Sequence, residues 1–314
     1  MMRIPMAIAN VGQTAKNIVK WQMRIEKSVP SLREHEESTK VPTPGLLASS
    51  SGVGSQPQGA GAQAAGGAAA PKPEPPTKLG LRVKRTVPLS ETRRVIGNRL
   101  TSSLQTSAQV THMFEADASE MMKLREILLP EIQSKTGERL TYTDILTKVV
   151  ARALREFEMV NSTLEESGIR LIDEVNVGVA VASDRGLIVP VVRNADTVDL
   201  RTLVLTIKDI VKRAREGKLT IKDVGGGTFT LSNLGMTAVD GFTPIVNPPQ
   251  TAILGVGRIV KKPVVVDDNI VIRPRVTLSL TFDHRVLDGF TASEFLRRIV
   301  GIMEDGQLLA ETAK

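Results

Sequence analysis

The residues with the clearest potential for chemistry form the run Asp-His-Arg-Val-Leu-Asp-Gly at positions 283–289. His284, one of 3 histidines in the chain, is flanked there by an acidic and a basic residue. A neutral imidazole, with an ordinary pKa of about 6.5, accepts protons near pH 7. Asp288, four residues after His284, can reach back within the same turn to fix the loop. Gly289 tolerates backbone conformations that other residues resist. These residues predict a general base on a short, fixed loop.

The elements on either side of this loop follow from hydrophobic patterning. Apolar and polar residues alternate before it, which predicts a half-buried strand at 276–282. After it, apolar residues recur at helical spacing, at Ala292, Phe295, Leu296, Ile299 and Met303. His284 therefore stands between a strand end and a helix start, where a rigid scaffold can aim a catalytic side chain. A structural histidine beside a charged neighbour fits this short pattern equally well.

A second stretch of interest is the glycine- and hydroxyl-rich run at 225–236, which contains Ser232. Its three consecutive glycines lack the Lys-Ser/Thr pair that a nucleotide-binding loop requires. Ser232 is followed by Asn233 and is not in a Gly-x-Ser-x-Gly elbow, so a serine nucleophile is not supported.

Taken together, the two stretches resemble the signature blocks of the dihydrolipoamide acyltransferases, the core subunits of 2-oxo acid dehydrogenase complexes. The run at 283–289 resembles their active-site motif, and the shorter His-x-x-x-Asp-Gly is shared with chloramphenicol acetyltransferase. Thr-Phe-Thr-Leu-Ser-Asn-Leu-Gly-Met at 228–236, with the segment 245–254, resembles the second block. The resemblance covers nearly all of residues 85–314. It implies an α/β fold of the chloramphenicol-acetyltransferase type, a mixed sheet packed with helices.

This resemblance also implies a reaction, acyl transfer between coenzyme A and dihydrolipoamide, both of them substrates. His284 is then the general base, Ser232 the hydroxyl that stabilises the oxyanion, and Asp288 the residue that holds the loop. No enzyme nucleophile is required, which suits a chain with no cysteine. The Ser232–Gly235 run and the segment at 245–250 are most similar to acetyl-transferring members. His112 could line the channel, or be a structural histidine in an edge strand.

The family further implies an assembly. Its members form homotrimers with the active site between neighbouring subunits, and the trimers build cubic or icosahedral cores. Decarboxylase and dihydrolipoamide dehydrogenase subunits are the implied partners. Two rival functions stay open: an acetyltransferase acting on an alcohol or amine, and a non-catalytic assembly core.

The first 79 residues are not predicted to build an independent core. Residues 1–47 resemble a truncated lipoyl domain, with Lys40 at the place of the lipoyl lysine. Thr39 replaces the family's aspartate and the second half of that domain is missing, so covalent lipoate on Lys40 is not expected. Residues 48–79 are rich in Ala, Gly and Pro, and predict a flexible linker. By the same resemblance, residues 80–314 are expected to form the catalytic domain.

The composition limits the classes of partner. The formal net charge is +7, but aromatic residues make up only 3%, and no basic run is interleaved with aromatics, which disfavours nucleic acid. A basic surface suits the phosphates of coenzyme A or an acidic partner. No apolar run reaches membrane-spanning length, and 3 histidines without cysteine disfavour a metal centre. We expect a cytoplasmic protein, although the early basic residues imitate an organelle transit peptide.

Local patterns predict further elements. Ser90, Asp144 and Asp199 are expected to cap helices, and Pro130 to end one. The helix capped by Asp199 is predicted to present an outward, solvated basic face that includes Lys208. Strands are expected at 113–117, 175–182, 187–192, 252–256, 264–266 and 270–272. The turn at 183–186 should join two of them, with Pro190 at an edge or bulge.

Overall fold

The computed structural model describes residues 75–183 and 186–314. The lipoyl-like segment, Lys40, the linker as far as residue 74 and the middle of the 183–186 turn lie outside these ranges. The described helices are α1 Glu91–Thr106, α2 Ser119–Thr136, α3 Tyr142–Glu156, α4 Leu200–Arg215, α5 Ile221–Val224, α6 Gly289–Glu304 and α7 Gly306–Thr312. The described strands are β1 Gln109–Asp117, β2 Ser162–Glu165, β3 Gly168–Leu171, β4 Val177–Val179, β5 Val181–Ser183, β6 Gly186–Ile188, β7 Val191–Val192, β8 Phe229–Asn233, β9 Ala252–Val256, β10 Val260–Val266 and β11 Asn269–Asp283.

The main sheet has seven strands and mixed pairing. Its spatial order is β1-β11-β9-β8-β4-β7, and β10 pairs with the first half of β11. Strands β9, β8 and β4 are parallel to one another, whereas β1, β11 and β7 pair antiparallel with their neighbours. Strands β2–β3 and β5–β6 form separate two-stranded sheets. A mixed sheet packed with helices confirms the predicted α/β class.

Helices α2, α3 and α6 cover one face of this sheet and enclose the hydrophobic core. On α6, Phe295 is fully buried and makes an edge-to-face contact with Phe229 of β8, with ring centroids 5.8 Å apart. Alternation along β11 places Leu278, Leu280 and Phe282 on the same buried face. The strand that leads to His284 is therefore anchored by the core, as its pattern predicted.

The segment 237–250 covers the opposite face of the sheet. The ring of Phe242 lies over Gly255, where an added Cβ would be 3.0 Å from the phenyl Cζ, so glycine permits this close approach. Ser279 of β11 points to this face and is buried. Its hydroxyl has no hydrogen-bond partner among the described residues.

Two of the predicted helix starts are confirmed by their hydrogen bonds. The Ser90 hydroxyl accepts the N–H of Arg93 at the start of α1. The Asp199 carboxylate accepts the N–H groups of Arg201 and Thr202 at the start of α4. Each cap supplies a partner to N–H groups that the first turn of a helix leaves unpaired.

The predicted cap at Asp144 is wrong by three residues. Thr141 is the N-cap of α3, and Asp144 completes a capping box by accepting the N–H of Thr141 at 2.7 Å. Asp144 is fully buried, and Lys208 reaches it from α4 with a nitrogen–oxygen distance of 2.8 Å. The prediction of a solvated Lys208 is therefore wrong, because this lysine neutralises a buried carboxylate.

The prediction that Pro130 ends a helix is also wrong. Helix α2 continues through Pro130 to Thr136 and ends at Gly137, which adopts a left-handed conformation with φ of 75°. Proline removes one N–H and leaves the carbonyl of Glu126 without its helical partner. Glu126 and Pro130 both lie on the exposed side, where water can satisfy that carbonyl, while buried Ile132 holds the next turn on the core.

The two long strands predicted at 175–192 are each divided in two. Their inner parts, β4 and β7, pair in the main sheet, and their outer parts, β5 and β6, form a separate ribbon. Pro190 lies at the break between β6 and β7, and β7 is the edge of the main sheet, as predicted. Proline cannot donate to a strand partner, which accounts for the interruption.

Candidate active site

The loop that carries His284 is fixed by its backbone and by two buried side chains. The N–H of His284 donates to the carbonyl of Ala108 at 2.8 Å. Val286 and Leu287 turn inward and are buried. The imidazole itself is exposed and makes no side-chain hydrogen bond within the described ranges. The loop is therefore anchored to the core, and it exposes the His284 side chain at the surface of the chain.

Asp283 and Arg285, on either side of His284, form an ion pair whose role the sequence did not reveal. The guanidinium Nη2 lies 2.6 Å from Asp283 Oδ2, and Nε lies 3.0 Å from each carboxylate oxygen. Asp283 is buried and also accepts the N–H of Ala108. Burial raises the pKa of Asp283, but the hydrogen bonds and charge of Arg285 outweigh it and leave this pKa below its usual value. The signal in the sequence that could have indicated this ion pair is the presence of two opposite charges two residues apart at a strand end.

We expect Arg285→Met to destabilise the folded state by about 1–3 kcal/mol, because it leaves a buried carboxylate without its cation. Since the folded-state pKa of Asp283 is lowered, the stabilisation is present at neutral pH and is lost as the pH falls through the acidic range below about 4. Thermal unfolding at pH 7 and in that acidic range measures both effects.

The matched control for this prediction is Arg297→Met. Arg297 pairs with Glu294 on the exposed side of α6, where an ion pair contributes about 0–1 kcal/mol. Equal destabilisation by the two variants, or a difference that does not shrink in acid, would contradict a structural role for the Asp283–Arg285 pair.

Asp288 caps helix α6. Its Oδ1 accepts the N–H of Thr291 at 2.7 Å. The pKa of Asp288 is lowered, first by this backbone hydrogen bond and then by the Thr291 hydroxyl, with a smaller contribution from the charge of His284. The carboxylate therefore stays charged and fixes the point at which the loop becomes helix. The role of Asp288 in holding the loop stays a prediction. The hydrogen bond from the Thr291 N–H is the interaction through which Asp288 could hold it.

Ser232 lies one residue before the end of β8 and is half-buried. Because Leu231 faces the core, alternation turns Ser232 to the face covered by 237–250. Its hydroxyl makes no hydrogen bond within the described residues and is free to donate one. The next residue, Asn233, donates to the Thr143 hydroxyl at 2.9 Å and accepts the N–H of Gly235 at 2.7 Å. These bonds fix the strand end on which Ser232 stands.

Within one protomer, Ser232 and His284 lie far apart. Ser232 is in register with Gly255 of β9, which is in register with Ser279 of β11, and His284 lies five residues beyond Ser279. At roughly 3.4 Å per residue this is about 17 Å along the strands, in addition to a lateral offset of two strands. The fold of one protomer therefore does not bring the two predicted groups together.

A cavity of about 330 Å³ opens beside the end of β8, on the helix-covered side. Asn233 and hydroxyl-bearing residues at the start of α3 line it, together with apolar side chains that include Met236 and Val256. Its composition suits an uncharged group. Among residues 75–183 and 186–314, no three metal-ligating side chains come together. In the same ranges, no helix is both long enough and apolar enough to cross a membrane.

The two remaining candidate residues are His112 and Lys40. His112 lies on β1, and its Nδ1 is 3.1 Å from the hydroxyl of Ser293 on α6, so its imidazole has a hydrogen-bond partner. This satisfies the interpretation of a structural histidine. Lys40 lies outside the described residues.

Comparison with known proteins finds a family model that matches most of the chain. Residues 82–310 match the family model of the 2-oxoacid dehydrogenases acyltransferase catalytic domain. A succinyltransferase component of the 2-oxoglutarate dehydrogenase complex from Pseudomonas aeruginosa is 40% identical over 227 residues, which cover 72% of this chain and 56% of that protein. An acetyltransferase component of the acetoin cleaving system from Bacillus subtilis is 37% identical over 219 residues, covering 70% of this chain and 55% of that protein. The chain thus spans little more than half the length of these curated relatives.

Solved structures show the same fold. The dihydrolipoamide acetyltransferase of Azotobacter vinelandii, studied for the catalytic roles of a serine, a histidine and an asparagine, has a TM-score of 0.72 and 33% identity, covering 76% of this chain and 99% of that one. A cubic core of the pyruvate dehydrogenase multienzyme complex has a TM-score of 0.72 and 32% identity over the same shares of the two chains.

Proposed function

Since this chain belongs to the 2-oxoacid dehydrogenase acyltransferase family, we propose that it transfers an acyl group between coenzyme A and dihydrolipoamide, as the core subunit of a 2-oxo acid dehydrogenase complex. One observation carries the assignment of residues. The serine and histidine studied in the Azotobacter enzyme have the same separation as Ser232 and His284, and its histidine and asparagine the same separation as His284 and Asp288. Asp288 stands where that enzyme has asparagine, and a cap on α6 is compatible with either side chain.

In the proposed reaction, the neutral imidazole of His284 removes the proton from the attacking thiol. The thiolate sulfur forms a bond to the thioester carbonyl carbon, and the carbonyl electron pair moves to oxygen. The hydroxyl of Ser232 donates a hydrogen bond to this oxyanion. When the tetrahedral intermediate collapses, the original carbon–sulfur bond breaks, and the imidazolium returns its proton to the departing sulfur. The acyl group has then moved from one thiol to the other.

Because one protomer separates Ser232 from His284, we infer that each active site combines Ser232 of one protomer with His284 of a neighbouring protomer. Repetition of such a head-to-tail contact closes a ring of identical subunits, as a trimer requires. The cubic core among the similar structures supports further assembly of such rings. The decarboxylase and dihydrolipoamide dehydrogenase subunits are the proposed partners, and the dihydrolipoamide is proposed to be presented by another chain rather than by Lys40.

For the acyl group we propose acetyl, although the curated relatives include both succinyl and acetyl enzymes. A succinyl group carries a carboxylate, which needs a cationic partner once it leaves water. Arg258, whose backbone lies against Gly235, is paired with Asp240 at 2.5 Å. Lys262 and Arg275 share Glu115. These three cations thus already have acidic partners, which favours a small uncharged acyl group.

We therefore expect kcat/KM with free dihydrolipoamide to be higher for acetyl-coenzyme A than for succinyl-coenzyme A. The margin over isobutyryl-coenzyme A should be smaller, because an apolar pocket discriminates added methylene groups by only about 1–3 kcal/mol each. Steady-state assays with the three thioesters test both the reaction and the specificity. Succinyl transfer equal to or faster than acetyl transfer would overturn the acyl assignment, and no transfer from any of them would overturn the proposed function.

A further inference from the structure

His112 touches both ends of the loop that presents His284. It lies on β1, opposite Leu280 of β11, and its side chain points to the helix-covered face of the sheet. There its Nδ1 is 3.1 Å from the Ser293 hydroxyl, near the start of α6. This hydrogen bond sets the orientation of the imidazole, because rotation of the ring would break it.

On the strand side of the loop, the contact is with Phe282. The two rings meet edge to face, with centroids 5.0 Å apart and an interplanar angle of 79°, the geometry that aromatic pairs prefer. Phe282 is fully buried, and its ring centroid lies 5.9 Å from that of His284. Phe282 therefore packs against both imidazoles and links them through one buried ring.

On the helix side of the loop, the contact is with Gly289. A Cβ added to Gly289 would lie 3.5 Å from His112 Cε1 and 3.7 Å from Nε2, so the imidazole packs against the first residue of α6. The residue before it is Asp288, which caps this helix. Through Phe282, Gly289 and Ser293, the imidazole of His112 thus braces the strand end and the helix start between which the loop of His284 is held.

We propose that His112 is a positioning residue for His284, and this proposal rests on the proposed role of His284 as the base. His112 fixes the two ends of the loop, and the loop in turn fixes the direction of the catalytic imidazole. Small displacements of a catalytic group reduce turnover strongly even when the substrate still binds, because the reacting atoms need close alignment.

The test compares His112→Ala with Ser293→Ala and with a matched control, Phe157→Leu. Phe157 makes an edge-to-face contact with Phe295 of α6 at 5.6 Å, so its loss loosens the same helix away from the loop. We expect His112→Ala to lower kcat by about 10- to 100-fold while KM for acetyl-coenzyme A stays within about twofold. Ser293→Ala should give a smaller decrease in kcat, and Phe157→Leu a lower thermal midpoint with an unchanged kcat.

A second measurement asks whether His112 acts through His284. Adding His112→Ala to His284→Ala should lower the remaining activity by less than about twofold, because residues that act as one unit are not additive. A wild-type kcat in His112→Ala, an equal decrease in kcat in Phe157→Leu, or a full additive loss in the double variant would overturn the proposal. A His284→Ala variant with normal turnover would instead overturn the proposed function, so the two failures are distinguishable.

Discussion

Replacing His284 with alanine is expected to lower kcat by about 10²- to 10⁴-fold, the usual range for loss of a general base. The attacking thiol, with an ordinary pKa of about 8.5, is then mostly protonated at pH 7 and has no base to remove its proton. The folded state should be unaffected, because the imidazole is exposed and the N–H bond to Ala108 is retained by alanine. Steady-state acetyl transfer to free dihydrolipoamide measures the effect.

Thermal unfolding and the mass of the assembly are the controls for this variant. Both should match the wild-type values, so that the loss of turnover is assigned to chemistry. Near-normal turnover in a well-folded His284→Ala assembly would remove His284 from the mechanism and leave the exposed strand-end histidine as a structural feature.

Ser232→Ala is expected to lower kcat by about 10²- to 10³-fold with little change in KM, since an oxyanion forms only as the reaction proceeds. Ser279→Ala is the matched control. Ser279 is in register with Ser232 across β9 and faces the same side, but it is buried and its hydroxyl has no partner among the described residues. Its removal should leave kcat unchanged. A loss confined to KM in Ser232→Ala would make Ser232 a binding residue instead.

The same variant tests whether sites are shared between protomers. Ser232→Ala and His284→Ala chains, co-expressed with different tags and purified as mixed assemblies, should recover activity that neither variant has alone. In a random mixture of equal amounts, about one quarter of the contacts in a closed ring pair an intact Ser232 with an intact His284. Mixed assemblies with no more activity than the single variants would contradict a shared site.

The sequence by itself determined the local elements around the site. The alternation at 276–282 and the helical spacing after Gly289 predicted a strand, a loop and a helix, and β11 and α6 confirm them. These predictions succeed because a two-residue period and a helical period describe which side of a single element is buried, and that is encoded locally. The caps at Ser90 and Asp199 were predictable for the same reason, because a cap bonds to N–H groups only a few residues away.

Tertiary packing overruled local signals elsewhere. Pro130 is a strong local signal for a helix end, but exposure of that side of α2 and burial of Ile132 outweigh it. Lys208 sits in a run of basic residues that suggests a solvated face, yet it pairs with Asp144 from a helix more than 60 residues earlier. The hydrophobic periodicity of one helix or strand does not indicate which side chain of another element will face a given residue.

The relative placement of the candidate residues was decided by the tertiary structure alone. Motifs in the sequence single out Ser232 and His284, but only the register of β8, β9 and β11 shows that one protomer holds them apart. Likewise, only the pairing of β1 with β11 brings His112 beside Phe282 and the start of α6. Residue types and spacing are local properties that suggest which chemistry is possible. Strand register joins residues distant in sequence, and it decides which groups can meet within one protomer.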